Sequence, residues 1–155
     1  MRWMRWAALA ASLSPSGCSL GDRDLPRAYR GLDVPAERLA SRETRAQGRA
    51  IFREHCVLCH GELGNGQGVR ARDLSPQPRN FTDPDWQART DARRIYYAIA
   101  EGRPGTAMPS WKPTLNPSEI WSLVAYVRTL APRAAGAEDS DAARPAAPAP
   151  QGRER

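Results

Sequence analysis

The sequence contains few of the residues that small proteins use for covalent or metal cross-links. Three cysteines and two histidines occur among 155 residues, and without a fourth cysteine a disulfide framework is excluded. A structural zinc site needs four ligands in workable geometry. Cys18 lies far along the chain from Cys56 and Cys59. The two histidines, His55 and His60, directly flank this cysteine pair. These counts argue against a zinc-built domain.

The chain also lacks a concentrated block of charge. Its formal net charge is +6, and residues 41–132 hold thirteen basic and nine acidic residues, a net charge of +4. The arginines are scattered among acids rather than gathered in a run, which argues against nucleic-acid binding. A mildly basic domain suits a partner protein with an acidic docking surface, or an anionic membrane surface.

Long apolar runs are absent as well. A short apolar run near the start of the sequence is typical of an export signal. Residues 7–13 follow Arg2 and Arg5 and fall far short of the roughly 20 residues needed to cross a bilayer. Residues 14–18, ending in Gly17 and Cys18, resemble the cleavage region of bacterial lipoproteins. That resemblance implies a signal peptide over residues 1–17 and a lipid on Cys18; the alternative is a plain secretory peptide with an incidental cysteine. We therefore expect a periplasmic protein, anchored to a membrane through Cys18.

Composition divides the rest of the chain into three parts. Residues 18–40 are polar and contain proline, which predicts a flexible tether. Residues 133–155 are rich in alanine, proline and arginine and have no large apolar residues, which predicts a disordered tail. The folded domain is expected over residues 41–132, a size at which a bound apolar cofactor would add usefully to a small core.

The domain shows three helical patterns and no convincing strand, so the predicted fold is all-α. The first helix is expected from a cap at Ser41 to about His55. The second follows Thr90 or Asp91 as cap and ends at Gly102.

The third predicted helix has the clearest signals. Asn116 is its cap, Pro117 its first residue, and Glu119 is placed to complete a capping box. Pro132 ends it. The glycine-rich segment 61–68 follows no strand and contains no Gly-Lys-Ser/Thr, so we reject a phosphate-binding loop and expect a tight bend.

The segment Cys56-Val57-Leu58-Cys59-His60 has the spacing of a c-type haem attachment sequence. Two thiols three positions apart at a helix end can each form a thioether with one vinyl group of a porphyrin, and the next residue then lies under the iron. A thioredoxin-like dithiol would need βαβ flanks, which this pattern does not provide. The motif predicts one covalently bound haem c, with His60 as an axial ligand.

Elimination predicts the second axial ligand. Met1 and Met4 belong to the export signal, which leaves Met108, in a Gly/Pro loop between the second and third helices. A methionine that merely fills a core gap is the ordinary alternative. His55 is the rival ligand, but it adjoins Cys56 and would have to reach the opposite face of the same ring.

With these residues in place, the chain resembles a class I cytochrome c over residues 41–130. In that family a glycine and an aromatic residue of the first helix cross a leucine and an aromatic residue of the last. The matching positions here are Gly48, Phe52, Leu123 and Tyr126. The resemblance implies a class I cytochrome c fold, in which three main helices and loops surround one haem.

The resemblance also implies further residues around the cofactor. A proline carbonyl should accept a hydrogen bond from His60; Pro78 is the better match and Pro76 remains possible. The candidates for the haem wall are Phe81, Trp86, Tyr97 and Trp111.

Both axial positions of such a haem are filled by the protein, so we expect single-electron transfer rather than catalysis of a substrate reaction. The leading expectation is a periplasmic carrier of a respiratory chain, with redox proteins as donor and acceptor. The alternative is a haem c subunit of a membrane oxidoreductase complex, either quinol-oxidising or a terminal oxidase. A third hypothesis, a gas-binding or peroxidatic haem protein, requires an open sixth position.

Overall fold

The structure, a computed structural model, describes residues 25–131, and within them all regular structure is helical. Its elements are α1 (Arg27–Arg30), α2 (Ala36–Ala40), α3 (Arg42–His55), α4 (Val57–His60), a 3-10 turn (Ala71–Asp73), α5 (Pro84–Arg89), α6 (Ala92–Glu101) and α7 (Pro117–Thr129). No helix in this range is long and apolar enough to cross a membrane. The all-α prediction is confirmed. The export signal, Cys18 and the C-terminal tail lie outside the described residues.

The three predicted helices are α3, α6 and α7, and each begins at a side-chain cap. The Ser41 hydroxyl accepts a hydrogen bond from the Thr44 amide at 3.4 Å, and the Asp91 carboxylate accepts one from the Arg94 amide at 2.8 Å. At α7 the capping box is complete, with Glu119 and Asn116 exchanging side-chain and backbone hydrogen bonds. These caps satisfy amides that a helix start otherwise leaves unpaired.

Helices α3 and α7 cross in direct backbone contact at Gly48. A Cβ atom at this position would lie 1.9 Å from the carbonyl oxygen of Ser122, which no side chain can tolerate. Next to the contact, the rings of Phe52 and Tyr126 meet edge to face, with centroids 5.2 Å apart. Leu123 is buried beside them. The predicted crossing is therefore present, and only glycine fits at its centre.

The core lies where α6 packs against this helix pair. One face of α6 contributes Ile95, Tyr96 and Ile99, and burying each aliphatic side chain stabilises the fold by about 1.5–3 kcal/mol. The remaining buried members of the cluster come mainly from α3 and α7: Phe52, Ala100, Leu115, Ile120, Trp121, Leu123, Val124 and Val127.

Helix α5 was not predicted, although its start carries a local signal. Asp83 caps it with hydrogen bonds from two amides, and Pro84 is its first residue, the same pairing that marks α7. The side chain of Gln87 is buried and donates to the Phe81 carbonyl at 2.8 Å and the Val127 carbonyl at 2.9 Å. This short helix therefore ties the loop after the 3-10 turn to the end of α7.

The tether was predicted over residues 18–40, and the structure corrects this prediction over residues 25–40, the part that it describes. Residues 25–40, which we call the N-terminal segment, form α1 and α2 and pack on the domain. Leu25 is buried, the Arg93 guanidinium donates to the Leu32 carbonyl at 2.7 Å, and Arg38 donates to the Ser118 hydroxyl at 2.5 Å. The apolar residues of the segment bury surface on α6 and α7, which a free tether would leave in water; they are Leu25, Tyr29, Leu32, Val34 and Leu39.

Candidate cofactor site

The Cys-x-x-Cys-His motif forms the joint between α3 and α4. Cys56 is the last residue associated with α3, and its amide donates to the Phe52 carbonyl at 2.8 Å. The chain then makes a single turn, in which the His60 amide donates to the Cys56 carbonyl at 2.8 Å. This turn brings both thiols and the imidazole to the wall of one cavity.

That cavity has a volume of about 560 Å³, within the ordinary range of roughly 300–1,000 Å³ for ligand pockets. It lies between the motif, α6, the loop before α5 and the loop before α7. All the candidate site residues within the described chain line it: Cys56, Cys59, His60, Pro76, Pro78, Phe81, Trp86, Tyr97, Met108 and Trp111. The structure therefore brings together residues that the sequence spreads over 56 positions.

Burial in the cavity wall favours the uncharged forms of Cys56 and His60. Desolvation, helped by the neighbouring Cys59 thiol, raises the pKa of Cys56 to about 12. Burial also lowers the pKa of His60, which favours the neutral imidazole at physiological pH. Neutral imidazole is the form that binds metals.

The imidazole of His60 is held on two sides. Its Nδ1 atom lies 3.1 Å from the carbonyl oxygen of Arg79, and its ring stacks on Phe81, with centroids 4.5 Å apart and planes inclined by 18°. A proton on Nδ1 donates to that carbonyl and leaves the Nε2 lone pair available to a metal.

This contact corrects the acceptor predicted at Pro78. The Pro78 carbonyl oxygen faces the glycine-rich segment instead, where a Cβ on Gly66 would lie 2.6 Å from it. The carbonyl of Arg79, one residue later, faces His60. Pro78 still lines the cavity.

The glycine-rich segment bends back onto the motif, as expected. The Gly68 amide donates to the Cys59 carbonyl at 3.1 Å, and the Arg70 amide donates to the Leu58 carbonyl at 2.8 Å. These bonds occupy carbonyls at the end of α4 that would otherwise lack partners. The segment supports the motif.

Met108 lies on a loop of residues 102–111, the Met108 loop, which is fastened to the end of α6. Gly102 adopts a φ of +72°, and a Cβ there would lie 2.5 Å from Pro109. The Arg103 amide donates to the Met108 carbonyl at 3.0 Å, and the Met108 amide donates to the Thr106 hydroxyl at 3.2 Å. These contacts fix the backbone on either side of the thioether.

The rival ligand His55 also lines the cavity, one residue before Cys56. Its ring lies against Trp111, with centroids 5.1 Å apart, and its Nε2 atom is 3.7 Å from the Glu54 carboxylate. Trp111 and the acidic neighbour account for this side chain without ligation.

The ionised side chains in the cavity wall are all basic. Arg79, Arg94 and Arg103 line it, and no aspartate or glutamate of residues 25–131 does. A largely apolar cavity lined by two thiols, two imidazoles, one thioether and several arginines matches haem, an apolar macrocycle that carries two carboxylates. The donor set and the charge therefore both fit the cofactor. The arginines were missed from the sequence, because nothing local separates them from other surface arginines.

The chain matches a known family over most of its helical domain. The family model described as cytochrome c oxidase, cbb3-type, subunit III, matches residues 43–127, more than half of the chain. The chain belongs to this family of c-type cytochromes. Membership means that the cytochrome carries covalently bound haem c, and its single Cys-x-x-Cys-His motif makes it a mono-haem protein.

Curated relatives match the same part of the cytochrome. The cbb3-type cytochrome c oxidase subunit FixP of Azorhizobium caulinodans is 39% identical over 84 residues, which cover 54% of this chain and 26% of the relative. FixP of Bradyrhizobium diazoefficiens is 36% identical over 85 residues (55% and 27%), and subunit CcoP of Cereibacter sphaeroides is 34% identical over 85 residues (55% and 27%). The cytochrome spans about a quarter of the length of these relatives.

A solved structure has a similar fold. A chain of the Kuenenia stuttgartiensis reducing HAO-like protein complex superposes with a TM-score of 0.55 at 29% identity. The superposition covers 59% of this cytochrome and 46% of that chain.

Proposed function

We propose that this cytochrome transfers single electrons through one haem c, attached at Cys56 and Cys59 and ligated by His60 and Met108. The observation that carries the proposal is that Met108, 48 positions after His60, lines the same cavity as the three motif residues, and that this cavity has a suitable size and charge. Bound haem supplies a one-electron ferric/ferrous couple.

Each residue has a defined part in this proposal. The cysteines fasten the macrocycle at the end of α3, where a single helical turn sets their spacing. The Nδ1–H group of His60 donates a hydrogen bond to the Arg79 carbonyl, which would leave Nε2 free to bind the iron. Met108 would supply the second ligand from the same cavity wall. With both axial sites filled by side chains, the protein leaves no position for a substrate, and electron exchange is the chemistry that remains.

The partners follow from the relatives and from the surface. The relatives are named as subunits of cbb3-type oxidases, which supports a role as a haem subunit of a membrane oxidoreductase complex more than a role as a free carrier. We place the domain on the periplasmic side of the membrane, with Cys18 as a lipid anchor. Its redox partners would present acidic docking surfaces, since residues 41–132 carry a net charge of +4.

The partner would dock where apolar side chains surround the motif. Leu58 lies between the two cysteines and is 49% exposed, and Val69, held beside it by the Arg70–Leu58 hydrogen bond, is 72% exposed. Exposed apolar patches on soluble domains mark interaction sites. Electrons would cross here because the exposed apolar residues lie next to the cysteines that would hold the haem.

Two measurements test the proposal. Expression in a host that matures c-type haem should give a red protein whose haem stays attached in a denaturing gel; a Cys56→Ala, Cys59→Ala double variant should lose the attached haem. A colourless mature protein would refute haem attachment.

Purification from detergent-solubilised membranes tests the assembly. The haem-stained chain should co-elute with large integral subunits; elution as a lone small protein would favour the free carrier. Carbon monoxide binding to the reduced protein at neutral pH would instead support the gas-binding hypothesis, because it requires an open sixth position.

A further inference from the structure

Two charged residues bracket the Met108 loop. Glu101 is the last residue of α6, directly before the loop, and Lys112 is the first residue after it. The Lys112 ammonium donates to the Glu101 carboxylate, which closes the loop at its base. A third group reaches the same carboxylate oxygen: the hydroxyl of Tyr29, 72 positions away in the sequence.

Tyr29 is seated against the loop base by its ring as well as its hydroxyl. Its ring meets Tyr97 edge to face, with centroids 4.8 Å apart, and lies 6.3 Å from the ring of Tyr96. The Lys112 ammonium lies 5.4 Å from the centre of the Tyr29 ring, within cation–π range. Tyr29 therefore contacts both ends of the loop at once.

We propose that Tyr29 is a positioning residue for the sixth ligand: through Glu101 and Lys112 it fastens both ends of the Met108 loop and holds Met108 against the iron. The inference rests on the proposed function, since it requires Met108 to be an axial ligand. Tyr29 belongs to the N-terminal segment and lies outside the family match, which begins at residue 43. These three residues, Tyr29, Glu101 and Lys112, form the clamp, and Glu101 and Lys112 lie within the matched residues.

The ferric state is the one in which this clamp matters. Methionine ligation raises the reduction potential, which means that the thioether binds ferrous iron more strongly than ferric iron. Opening of the loop is therefore easier in the oxidised protein, where an external ligand can replace the thioether. The charge state of the clamp suits this role, because the Lys112 and Tyr29 hydrogen bonds lower the pKa of Glu101 and keep the carboxylate ionised.

The test is a titration of the ferric holoprotein with imidazole. Binding is measured as the loss of the methionine-to-iron charge-transfer band. Tyr29→Phe keeps the ring and deletes the hydroxyl, and we expect it to tighten imidazole binding by about threefold to tenfold, as for loss of one hydrogen bond. Tyr126→Phe is the matched control: it also deletes a tyrosine hydroxyl, but at the α3–α7 crossing, away from the loop. It should bind imidazole as the wild type does.

A double variant shows whether Tyr29 acts through Glu101. Glu101→Gln should tighten imidazole binding by itself, and adding Tyr29→Phe should then change little, because the residues act as one unit. Unchanged binding in Tyr29→Phe, or an equal change in Tyr126→Phe, would overturn the clamp. If the wild type has no methionine charge-transfer band and Met108→Ala leaves the ferric spectrum unchanged, the ligand assignment itself has failed, which is a different result.

Discussion

Replacing Gly48 by alanine tests the crossing that holds α3 and α7 together. The new Cβ would lie 1.9 Å from the Ser122 carbonyl oxygen, 2.5 Å from the Ser122 carbonyl carbon and 2.9 Å from the Cβ of Tyr126. To reach ordinary contact near 3.4 Å, the helices must separate by more than 1 Å. Neither the oxygen nor the carbon of the Ser122 carbonyl can rotate away, since both belong to the backbone in the middle of α7.

Two opposing effects set the size of the result. Alanine favours a helix interior by about 1 kcal/mol over glycine. Overpacking of a close contact costs about 1–3 kcal/mol and sometimes more, and here the separation also loosens Phe52 and Leu123. Because the helices must separate by more than 1 Å, we take the upper end of the overpacking range, about 3 kcal/mol, and expect a net loss of about 2 kcal/mol in the free energy of unfolding. For a domain of this size, that lowers Tm by about 8–16 °C.

The assay is thermal unfolding of the holoprotein, followed by far-ultraviolet circular dichroism. Gly31→Ala is the matched control, because a Cβ at Gly31 would have no atom within 4 Å and the residue has an ordinary φ of −90°. Its Tm should stay close to that of the wild type. A Gly48→Ala protein as stable as the Gly31→Ala protein would show that the helices do not meet as described.

Three further outcomes follow from the site. Arg103→Gln removes a cation from the cavity margin and should lower the reduction potential in a redox titration by about 30–60 mV, a threefold to tenfold change in the ferric/ferrous ratio; Arg89→Gln, on the exposed end of α5, should leave it unchanged. Met108→Ala should abolish the methionine charge-transfer band and admit carbon monoxide to the ferrous protein, and an unchanged spectrum would contradict ligation. The pKa of Glu101 is lowered in the fold, so its contribution to stability is present above pH 4.5 and is lost as pH falls through the folded pKa; acid titrations of Tm should therefore show a smaller acid loss for Glu101→Gln than for the wild type.

Local signals made much of the fold predictable. The start of α7 is encoded within four residues, Asn116 to Glu119, and the structure has the same capping box. The crossing at Gly48 was predicted from the resemblance to class I cytochromes c, and the structure has it at that residue. Met108 was reached by elimination, and it lines the cavity with the cysteines, although its ligation is still a proposal.

What could not be predicted depended on distant contacts or on a shift of one residue. The composition of the N-terminal segment predicts a polar tether. Its folding was missed because it depends on partners such as Glu101 and Ser118, about 70 to 80 positions away. The acceptor for His60 is the carbonyl of Arg79 rather than Pro78, because backbone direction, which composition does not reveal, decides which carbonyl faces the ring. Helix α5 was missed although Asp83 and Pro84 repeat the signal seen at α7.

The buried side-chain amide of Gln87 connects the packing of α7 to the surroundings of His60. One amide group spans from the last turn of α7 to the backbone of Phe81, whose ring lies flat on the imidazole of His60. A displacement of α7 would thereby shift the ring that stacks on His60, the proposed axial ligand. Small shifts in helix seating should be visible as changes in colour well before the protein unfolds.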